Sequence, residues 1–298
     1  MGLKDELREI AFDSYADYFG IGSVDRWANA PIGHRPNDLL PSAKSVLVLG
    51  MRIPEGAIEA NNRAFEGQRH GIFSYMLFGY YRLNEMLDKA TMKLMRHLEI
   101  RHRIATFPNP ASVPRDDYMM MGVMSNRHAA VCAGLADFGW SGLALTPEAG
   151  PRVRWTTLVI DREIEPDPLH DGPKLCKGCK DCVSLCPVSA LSREHSVEVK
   201  IGERVFSYGV LSKIRCRYAV YGLASGSAGR LQAEIHDNVY THGDWLTMLR
   251  HDIVWNKTER FAAMCGRCLV NCPVGRDPAY HKTNKSSVHV LGNCNKDI

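Results

Sequence analysis

The chain has 298 residues, of which 45% are hydrophobic and 23% are charged, and its formal net charge at pH 7 is +4. This length predicts one large domain plus a smaller one, and the composition is ordinary for a globular protein. No run of about 18 apolar residues occurs, which excludes a membrane-spanning helix. Because lysines and arginines are spread along the chain without a basic tract, we expect no nucleic-acid partner and no membrane contact.

The first twenty residues, MGLKDELREIAFDSYADYFG, predict a helix and not an export signal. Acidic residues begin at Asp5, and neither an apolar stretch nor a twin-arginine pair is present. Glu6 stands where a myristoylation motif requires Ser or Thr. We therefore expect a cytoplasmic protein, where clustered cysteines bind metal or carry out redox chemistry more often than they form disulfides.

Two apolar runs bounded by turn residues, in SAKSVLVLGMRIP and VRWTTLVID, predict strands. Between them lies a long amphipathic helix that starts near Tyr75. Its apolar stripe comprises Leu83, Met86, Leu87, Ala90, Leu94 and Leu98. Met92 and Met95, close to this stripe, are interpreted as core filler. Alternating strands and helices predict a layered α/β or α+β domain over residues 1–165.

Residues 162–173, REIEPDPLHDGP, are rich in proline and acidic residues and predict a connector. We expect a second domain over residues 166–280 and a C-terminal tail over residues 281–298.

The connector leads into LCKGCKDCVSLCPVSAL, with cysteines spaced C-x2-C-x2-C-x3-C before a proline. In two-cluster ferredoxins, the first three cysteines of such a run bind one 4Fe-4S cluster and the fourth binds the other. A second motif, MCGRCLVNCPVGRD, has the same ending but lacks the first cysteine. One ligand for the second cluster must therefore come from elsewhere in the chain.

Three cysteines remain as candidates for this ligand: Cys132, Cys216 and Cys294. Cys132 lies in an apolar segment that predicts a buried helix, and Cys294 lies in the polar tail, so Cys216, between the two motifs, is favoured. The first predicted ligand set is Cys176, Cys179, Cys182 and Cys272. The second is Cys186, Cys216, Cys265 and Cys268.

Paired C-x2-C elements also form structural zinc sites. The full run of four cysteines and the two Cys-Pro endings favour iron–sulfur clusters over zinc. A ferredoxin with two clusters needs only about 60 to 80 residues, so the much larger region before the cysteines indicates a site that receives electrons.

Residues 33–50 and 126–161, followed by the cysteine run, resemble the cobalamin-dependent reductases that include reductive dehalogenases and epoxyqueuosine reductases. The segment GLALTPEAGPRVR resembles the dehalogenases most specifically, and the lone Cys216 resembles the epoxyqueuosine reductase arrangement. The resemblance implies an α+β protein with a nitroreductase-like core and a ferredoxin-like domain holding two 4Fe-4S clusters. It further implies a base-off cobalamin and reductive cleavage of a carbon–halogen or carbon–oxygen bond in a small organic substrate. A ferredoxin- or flavodoxin-type protein would supply the electrons.

Candidate corrinoid-binding residues follow from the same segments: Gly33, His34, Arg35, Trp140, Ser141, Gly142, Thr146, Gly150, Pro151, Arg152 and Arg154. Glycines permit close approach to a large planar ligand. Arg152 and Arg154, two apart on a predicted strand, should point the same way and meet carboxamides, a phosphate or the substrate. In the alternative interpretation, Gly150 and Pro151 form a turn, the arginines line a solvated face, and His34 and Arg35 close a turn.

Candidate proton donors for the cleaved substrate are Tyr118, Asp117 and Asp116, with Arg127 and His128 as weaker candidates. The sequence lacks the D-x-H-x-x-G motif that supplies a histidine to cobalt in other corrinoid proteins. This is compatible with base-off binding and equally with no corrinoid. The alternatives are an electron-transfer or activation protein that reduces a corrinoid or flavin partner, and a flavin reductase.

Overall fold

A computed structural model describes residues 2–68, 70–112, 122–222 and 265–276. The helices in these ranges are α1 (Leu3–Asp13), α2 (Pro36–Leu39), α3 (Glu55–Phe65), α4 (Gly71–Met76), α5 (Arg82–His97), α6 (Asn126–Cys132), α7 (Asp181–Ser184), α8 (Lys213–Val220) and α9 (Arg267–Val270). The strands are β1 (Tyr18–Ser23), β2 (Ser45–Arg52), β3 (Thr106–Asn109), β4 (Asp137–Phe138), β5 (Ala144–Leu145), β6 (Val153–Ile160), β7 (Leu191–Ile201) and β8 (Arg204–Leu211). None of the helices in the described part of the chain has the length and apolar character needed to cross a membrane.

The central sheet has four strands in the order β1-β2-β6-β3, and every neighbouring pair is antiparallel. Its two middle strands, β2 and β6, are the two that the apolar runs predict. Leu47 and Val48, which point to opposite faces of the sheet, are both fully buried. Both faces of the sheet are therefore covered, and this explains why these strands are continuous apolar runs.

The two faces of the sheet carry different layers. One face packs Leu47 and Leu158 against Leu87 and Leu94 of α5, together with α1 and α3. The opposite face packs Val48 and Val159 against α6 and against the aromatic residues of β4 and β8. The protein is thus a mixed α/β structure with a sheet between two apolar layers, as the alternation of elements predicts.

The predicted long helix is confirmed, with an unpredicted change in its winding. π-Helical segments at Leu77–Tyr81 and Leu98–His102 flank α5. The buried side chains on and after α5 are Leu83, Leu87, Ala90, Leu94 and Leu98. Met86 is 37% exposed and Met92 is 54% exposed, so placing these two methionines in the core was wrong. Met92 lies two positions from Leu94, about 200° around the helix, and therefore faces away from the sheet.

The proline-rich connector is held against the sheet. The Ile164 amide donates to Ser45 Oγ at 3.0 Å, and the Ile164 side chain is buried. The Asp167 carboxylate accepts from the Ile21 amide at 2.8 Å and from Lys4 Nζ at 2.7 Å. The chain is thus fixed beside β1 and β2 just before the first cysteine. The domain boundary near residue 165 stays a prediction.

Replacing Leu94 with Ala should lower the free energy of unfolding by about 2–5 kcal/mol, because it opens a cavity between α5 and the sheet. The matched change Met92→Ala on the exposed side of the same helix should alter it by no more than about 0.5 kcal/mol. Denaturant unfolding of both variants measures the difference. Equal losses would contradict this orientation of α5.

Candidate functional site

The two cysteine motifs fold in the same local way. In the first, Lys180 adopts φ +65° and precedes α7, which carries Cys182. In the second, Gly266 adopts φ +73° and precedes α9, which carries Cys268. The short helices α7 and α9 contact each other. The matching C-x2-C spacings therefore produce two similar loops that face one another.

One group of four cysteines contains the first three of the long run and the last of the short motif. Cys176, Cys179, Cys182 and Cys272 line one cavity, together with Trp140, Ser141 and the Pro273–Val274 backbone. The Trp140 amide donates to Cys176 Sγ at 3.4 Å. This group unites the members of the first predicted ligand set.

A second group is enclosed in a small apolar cluster. Cys265 is buried there beside Val188 and Tyr218, and Cys186 and Cys216 pack against the same cluster. Burial, with contributions from Cys216 and Cys186, raises the pKa of Cys265 to about 12. The pKa of Cys268 is raised by burial first, and by Cys216, Cys265 and Cys186. The structure thus also brings together the second predicted set.

Two thiols of the first group, those of Cys182 and Cys272, also have raised pKa values. Burial raises the pKa of Cys182 to about 11, and Cys176, Cys179 and Cys272 add to the shift. Burial likewise raises the pKa of Cys272. Metals bind cysteine as thiolate, so these groups require cationic metal to ionise at neutral pH. Their identity as 4Fe-4S ligands stays a prediction.

The spacing of the sulfurs bears on the zinc alternative. Among the described residues, no three cysteine sulfurs lie within 4.8 Å of one another. A tetrahedral zinc with Zn–S bonds of about 2.3 Å would hold its sulfurs about 3.8 Å apart. The wider spacing favours a multinuclear cluster over a single zinc ion.

Arg152 connects the sheet domain to the second cysteine motif. Its guanidinium is buried and donates to the carbonyl oxygens of Cys272, at 2.8 Å from Nη1, and Val274, at 2.5 Å from Nη2. Gly150 adopts φ +55°, and a Cβ there would collide with the Val274 carbonyl. Residues 150–152 therefore hold the Cys-Pro turn of the motif against β6.

The surroundings of Arg152 also involve Thr146 and Pro151. Thr146 and Gly150 exchange two backbone hydrogen bonds, and Pro151 is buried after this turn. The Thr146 hydroxyl accepts from the Ala149 amide at 3.1 Å. The turn at Gly150–Pro151 that we considered is present. A solvated face is wrong for Arg152, which is 2% exposed.

Arg154, the second residue of β6, also contacts protein groups. Its Nε donates to Asn84 Oδ1 at 2.9 Å, and the guanidinium lies 4.1 Å from the centre of the Tyr80 ring. A second bond from Nη2 reaches the Ala111 carbonyl at 3.4 Å. Arg152 lies just before β6, so a common orientation of the two arginines on one strand stays a prediction. Contact between either of them and a cofactor stays a prediction.

Residues 33–35 close a turn before α2. His34 Nδ1 lies 2.8 Å from the Val123 carbonyl oxygen, and Arg35 Nε donates to the Ala30 carbonyl at 2.8 Å. The Asp38 carboxylate accepts from the amides of Gly33 and Arg35. These contacts match the turn-closing interpretation. A role in corrinoid binding is an untested prediction for all three residues.

Trp140 and Ser141 lie at the first cysteine group, and Gly142 follows them beside the Tyr208 ring. The Trp140 indole donates to the Ser192 carbonyl at 2.8 Å, and the Lys180 amine lies over the indole ring. Gly142 adopts φ +70°, and its carbonyl accepts from Arg127 Nη1 at 2.7 Å. This segment forms one wall of the cavity that the cysteines share.

Behind this wall is a half-buried histidine, His128. Burial lowers the pKa of His128 to about 3, so the ring is neutral at pH 7. Its Nδ1 is 2.8 Å from Ser125 Oγ, and its Nε2 is 3.2 Å from Tyr208 Oη. Sequence reasoning missed Tyr208, which lies in no motif, and Lys180, which lies inside the first cysteine run but is not a cluster ligand. Tyr118, Asp117 and Asp116, like Cys294, lie outside the described residues.

Changing Arg152 to Met should leave two half-buried carbonyls, those of Cys272 and Val274, without their donor and detach the second motif. We expect a loss of about 2–4 kcal/mol in unfolding free energy, since hydrogen bonds from charged groups contribute about 1.5–3 kcal/mol each. Iron bound per chain should also fall. The exposed Arg162→Met variant is the control, and unchanged iron and stability in Arg152→Met would contradict the anchoring role.

Comparison with known proteins finds no matching family model. The epoxyqueuosine reductase of Staphylococcus aureus is 26% identical over 196 residues, covering 63% of this chain and 45% of that protein. The tetrachloroethene reductive dehalogenase of Desulfitobacterium hafniense is 40% identical over 72 residues, covering 24% of this chain and 13% of that protein. The chain therefore matches less than half the length of these curated relatives.

Solved structures show the same fold. The epoxyqueuosine reductase of Bacillus subtilis aligns with a TM-score of 0.50 at 16% identity, covering 90% of this chain and 80% of that one. A catabolic reductive dehalogenase in complex with 3-bromo-4-hydroxybenzoic acid aligns with a TM-score of 0.52 at 15% identity, covering 89% of this chain and 37% of that one. By sequence and by fold, the chain is a relative of the epoxyqueuosine reductases and the reductive dehalogenases, as its motifs predict.

Proposed function

We propose that this chain is an oxidoreductase in which two 4Fe-4S clusters deliver electrons to a corrinoid. The observation that carries the proposal is the exchange of cysteines between the two motifs. Cys272 joins Cys176, Cys179 and Cys182, while Cys186 joins Cys265. This exchange is what two-cluster ferredoxin loops require.

The exchange also suits electron transfer. Each motif contributes to both groups, so the two clusters would lie side by side, held by the contact between α7 and α9. Such an arrangement gives a short, rigid path. We assign residues 166–280 to a ferredoxin-like domain and residues 1–165 to a nitroreductase-like core, with the α+β fold that this combination implies.

For the corrinoid, we propose the surface next to the cavity that the four cysteines of the first group line, since that cavity itself would hold the cluster. The wall of Gly139, Trp140 and Ser141 presents a flat aromatic surface and small residues next to Cys176. Arg152 and Arg154 are engaged with protein groups, so we assign to them the support of this wall and of the second motif. When bound and reduced, cobalamin supplies a reductant able to break carbon–halogen or carbon–oxygen bonds.

The proposed substrate is a small organic molecule with such a bond, and Tyr118, Asp117 and Asp116 are the proposed proton donors. One solved epoxyqueuosine reductase carries a tRNA stem loop. The expectation that no nucleic acid is bound therefore stays a prediction, and a nucleic acid carrying the reducible group is the second substrate class.

A ferredoxin- or flavodoxin-type protein is the proposed electron donor, and the cytoplasm is the proposed location.

One observation favours a second function. Both arginines proposed for the corrinoid donate to protein oxygens, and the chain matches less than half of its curated relatives. An electron-transfer or activation protein, which reduces a corrinoid or flavin held by a partner, would need no cofactor cradle of its own.

Anaerobically reconstituted protein should hold about eight iron and eight sulfide per chain, since each cluster has four of each. Cys216→Ala should reduce iron toward about four per chain, because it removes one ligand of the second cluster. Cys132→Ala is the control: Cys132 is buried, but it is the last residue of α6 and its thiol donates to the Arg26 carbonyl. Equal iron loss in both variants would contradict the ligand assignment.

Iron-loaded protein is incubated with cobalamin, and the unbound cobalamin is then removed. The protein should retain about one corrinoid per chain, measured by the visible spectrum of the corrinoid. Ser141→Trp should abolish this retention by placing a bulky ring on the proposed corrinoid surface, whereas iron per chain should stay unchanged because Ser141 supplies no cluster ligand. Ser196→Trp, on the exposed part of β7, is the control. Absence of corrinoid from the wild-type protein would favour the electron-transfer function.

A further inference from the structure

Two histidines and a glutamate converge where α1 packs against the end of α5. His97 Nε2 lies 2.9 Å from Glu6 Oε1, and His102 Nε2 lies 3.2 Å from Glu6 Oε2. The two Nε2 atoms are 3.2 Å apart. None of these residues lines the cavity beside the first cysteine group.

The convergence depends on the π-helical winding of Leu98–His102. In an α-helix, residues five apart lie about 140° from each other around the axis. The i→i+5 hydrogen bonds of a π-helix instead stack such residues on one side. The Arg103 amide donates to the Leu98 carbonyl in this pattern. The unusual winding therefore brings His97 and His102 to one point, and π-turns are frequent at functional sites.

Hydrogen bonds satisfy this group only in part. If both Nε2 atoms carry hydrogen, each can donate to one Glu6 oxygen, but the two donors then stand 3.2 Å apart. If one Nε2 lacks hydrogen, it can accept from the other ring, but its lone pair then lies 2.9 or 3.2 Å from a carboxylate oxygen. A cation between the three side chains suits all of them at once, because each then presents a lone pair to it.

The distances suit a particular class of cation. Zinc bonds of about 2.0–2.2 Å to nitrogen and oxygen place neighbouring ligand atoms of a tetrahedron about 3.3 Å apart. The three measured separations, 2.9, 3.2 and 3.2 Å, are close to that value. Imidazole nitrogen favours zinc and other late transition ions over magnesium or calcium.

We propose that Glu6, His97 and His102 bind one zinc-type divalent cation that ties α1 to the C-terminal end of α5. The three side chains are 21–34% exposed, so water has access to complete the coordination. This site is independent of the proposed function, because it shares no residue with the cysteine groups.

The test uses tag-free, iron-loaded protein, and the iron content is matched between variants. Zinc bound at empty cysteine sites then does not add to the number of zinc ions counted per chain. Zinc alone is titrated by calorimetry against the wild type, His97→Gln, His102→Gln and Glu6→Gln. We expect one ion per chain in the wild type and affinity weakened by about 100-fold or more in the histidine variants, since each loses a direct ligand. Millimolar magnesium should not compete.

The control is His195→Gln, because His195 is an exposed histidine on β7. It should bind zinc like the wild type. Saturating zinc should raise the melting temperature by about 5 °C in the wild type and in this control only. Equal zinc binding in the wild type and in every site variant would overturn the proposal, as would loss of binding in His195→Gln. Should a histidine variant fail to fold, Glu6→Gln, which keeps the size of the side chain, decides by the same readout.

Discussion

The convergence of eight cysteines in two groups is the constraint on which the cysteine-bearing region depends. In each group, burial and neighbouring sulfurs act in the same direction and raise the thiol pKa, as for Cys182 and Cys265. A protein interior does not favour several thiolates together, and protonated thiols are weak hydrogen-bonding groups that provide little cohesion. A cationic cluster reverses both effects at once. The loops before α7 and α9 are therefore best understood as metal-stabilised structures, in which binding free energy contributes to folding.

Arg152 makes the sheet domain part of that structure. Its donation to the Cys272 and Val274 carbonyls places a fixed positive charge beside the first cysteine group. A cluster bound by four thiolates carries net negative charge, so this guanidinium has an electrostatic role in addition to its hydrogen bonds. Gly150 complements it, since only a residue without Cβ permits Val274 to approach so closely. The sheet, the turn and the second motif are thus one unit.

Sequence reasoning succeeded where the determining interactions are local. The strands β2 and β6 follow from apolar runs, and the cysteine grouping follows from spacings that short loops can satisfy in few ways. It failed where the winding of a helix or contacts between distant parts of the chain determine the positions of side chains. A constant helical period does not reveal that a π-turn brings His97 and His102 together. Likewise, the pattern R-x-R reveals neither that Arg152 lies just before β6 nor which protein groups Arg152 and Arg154 contact.

The two cysteine groups differ in their surroundings. In the proposed function, this difference sets the direction of electron transfer between the two clusters. Cys179 is exposed and Lys180 lies close by, whereas Cys265 is buried in an apolar cluster. Adding an electron to a negatively charged cluster is harder in an apolar environment than near water and a cation, because exposure and neighbouring charge raise the reduction potential. The second group would accordingly have the lower potential and the first the higher. Electrons would then move toward the cysteines that share a cavity with Trp140 and Ser141, which is where the proposed acceptor is placed.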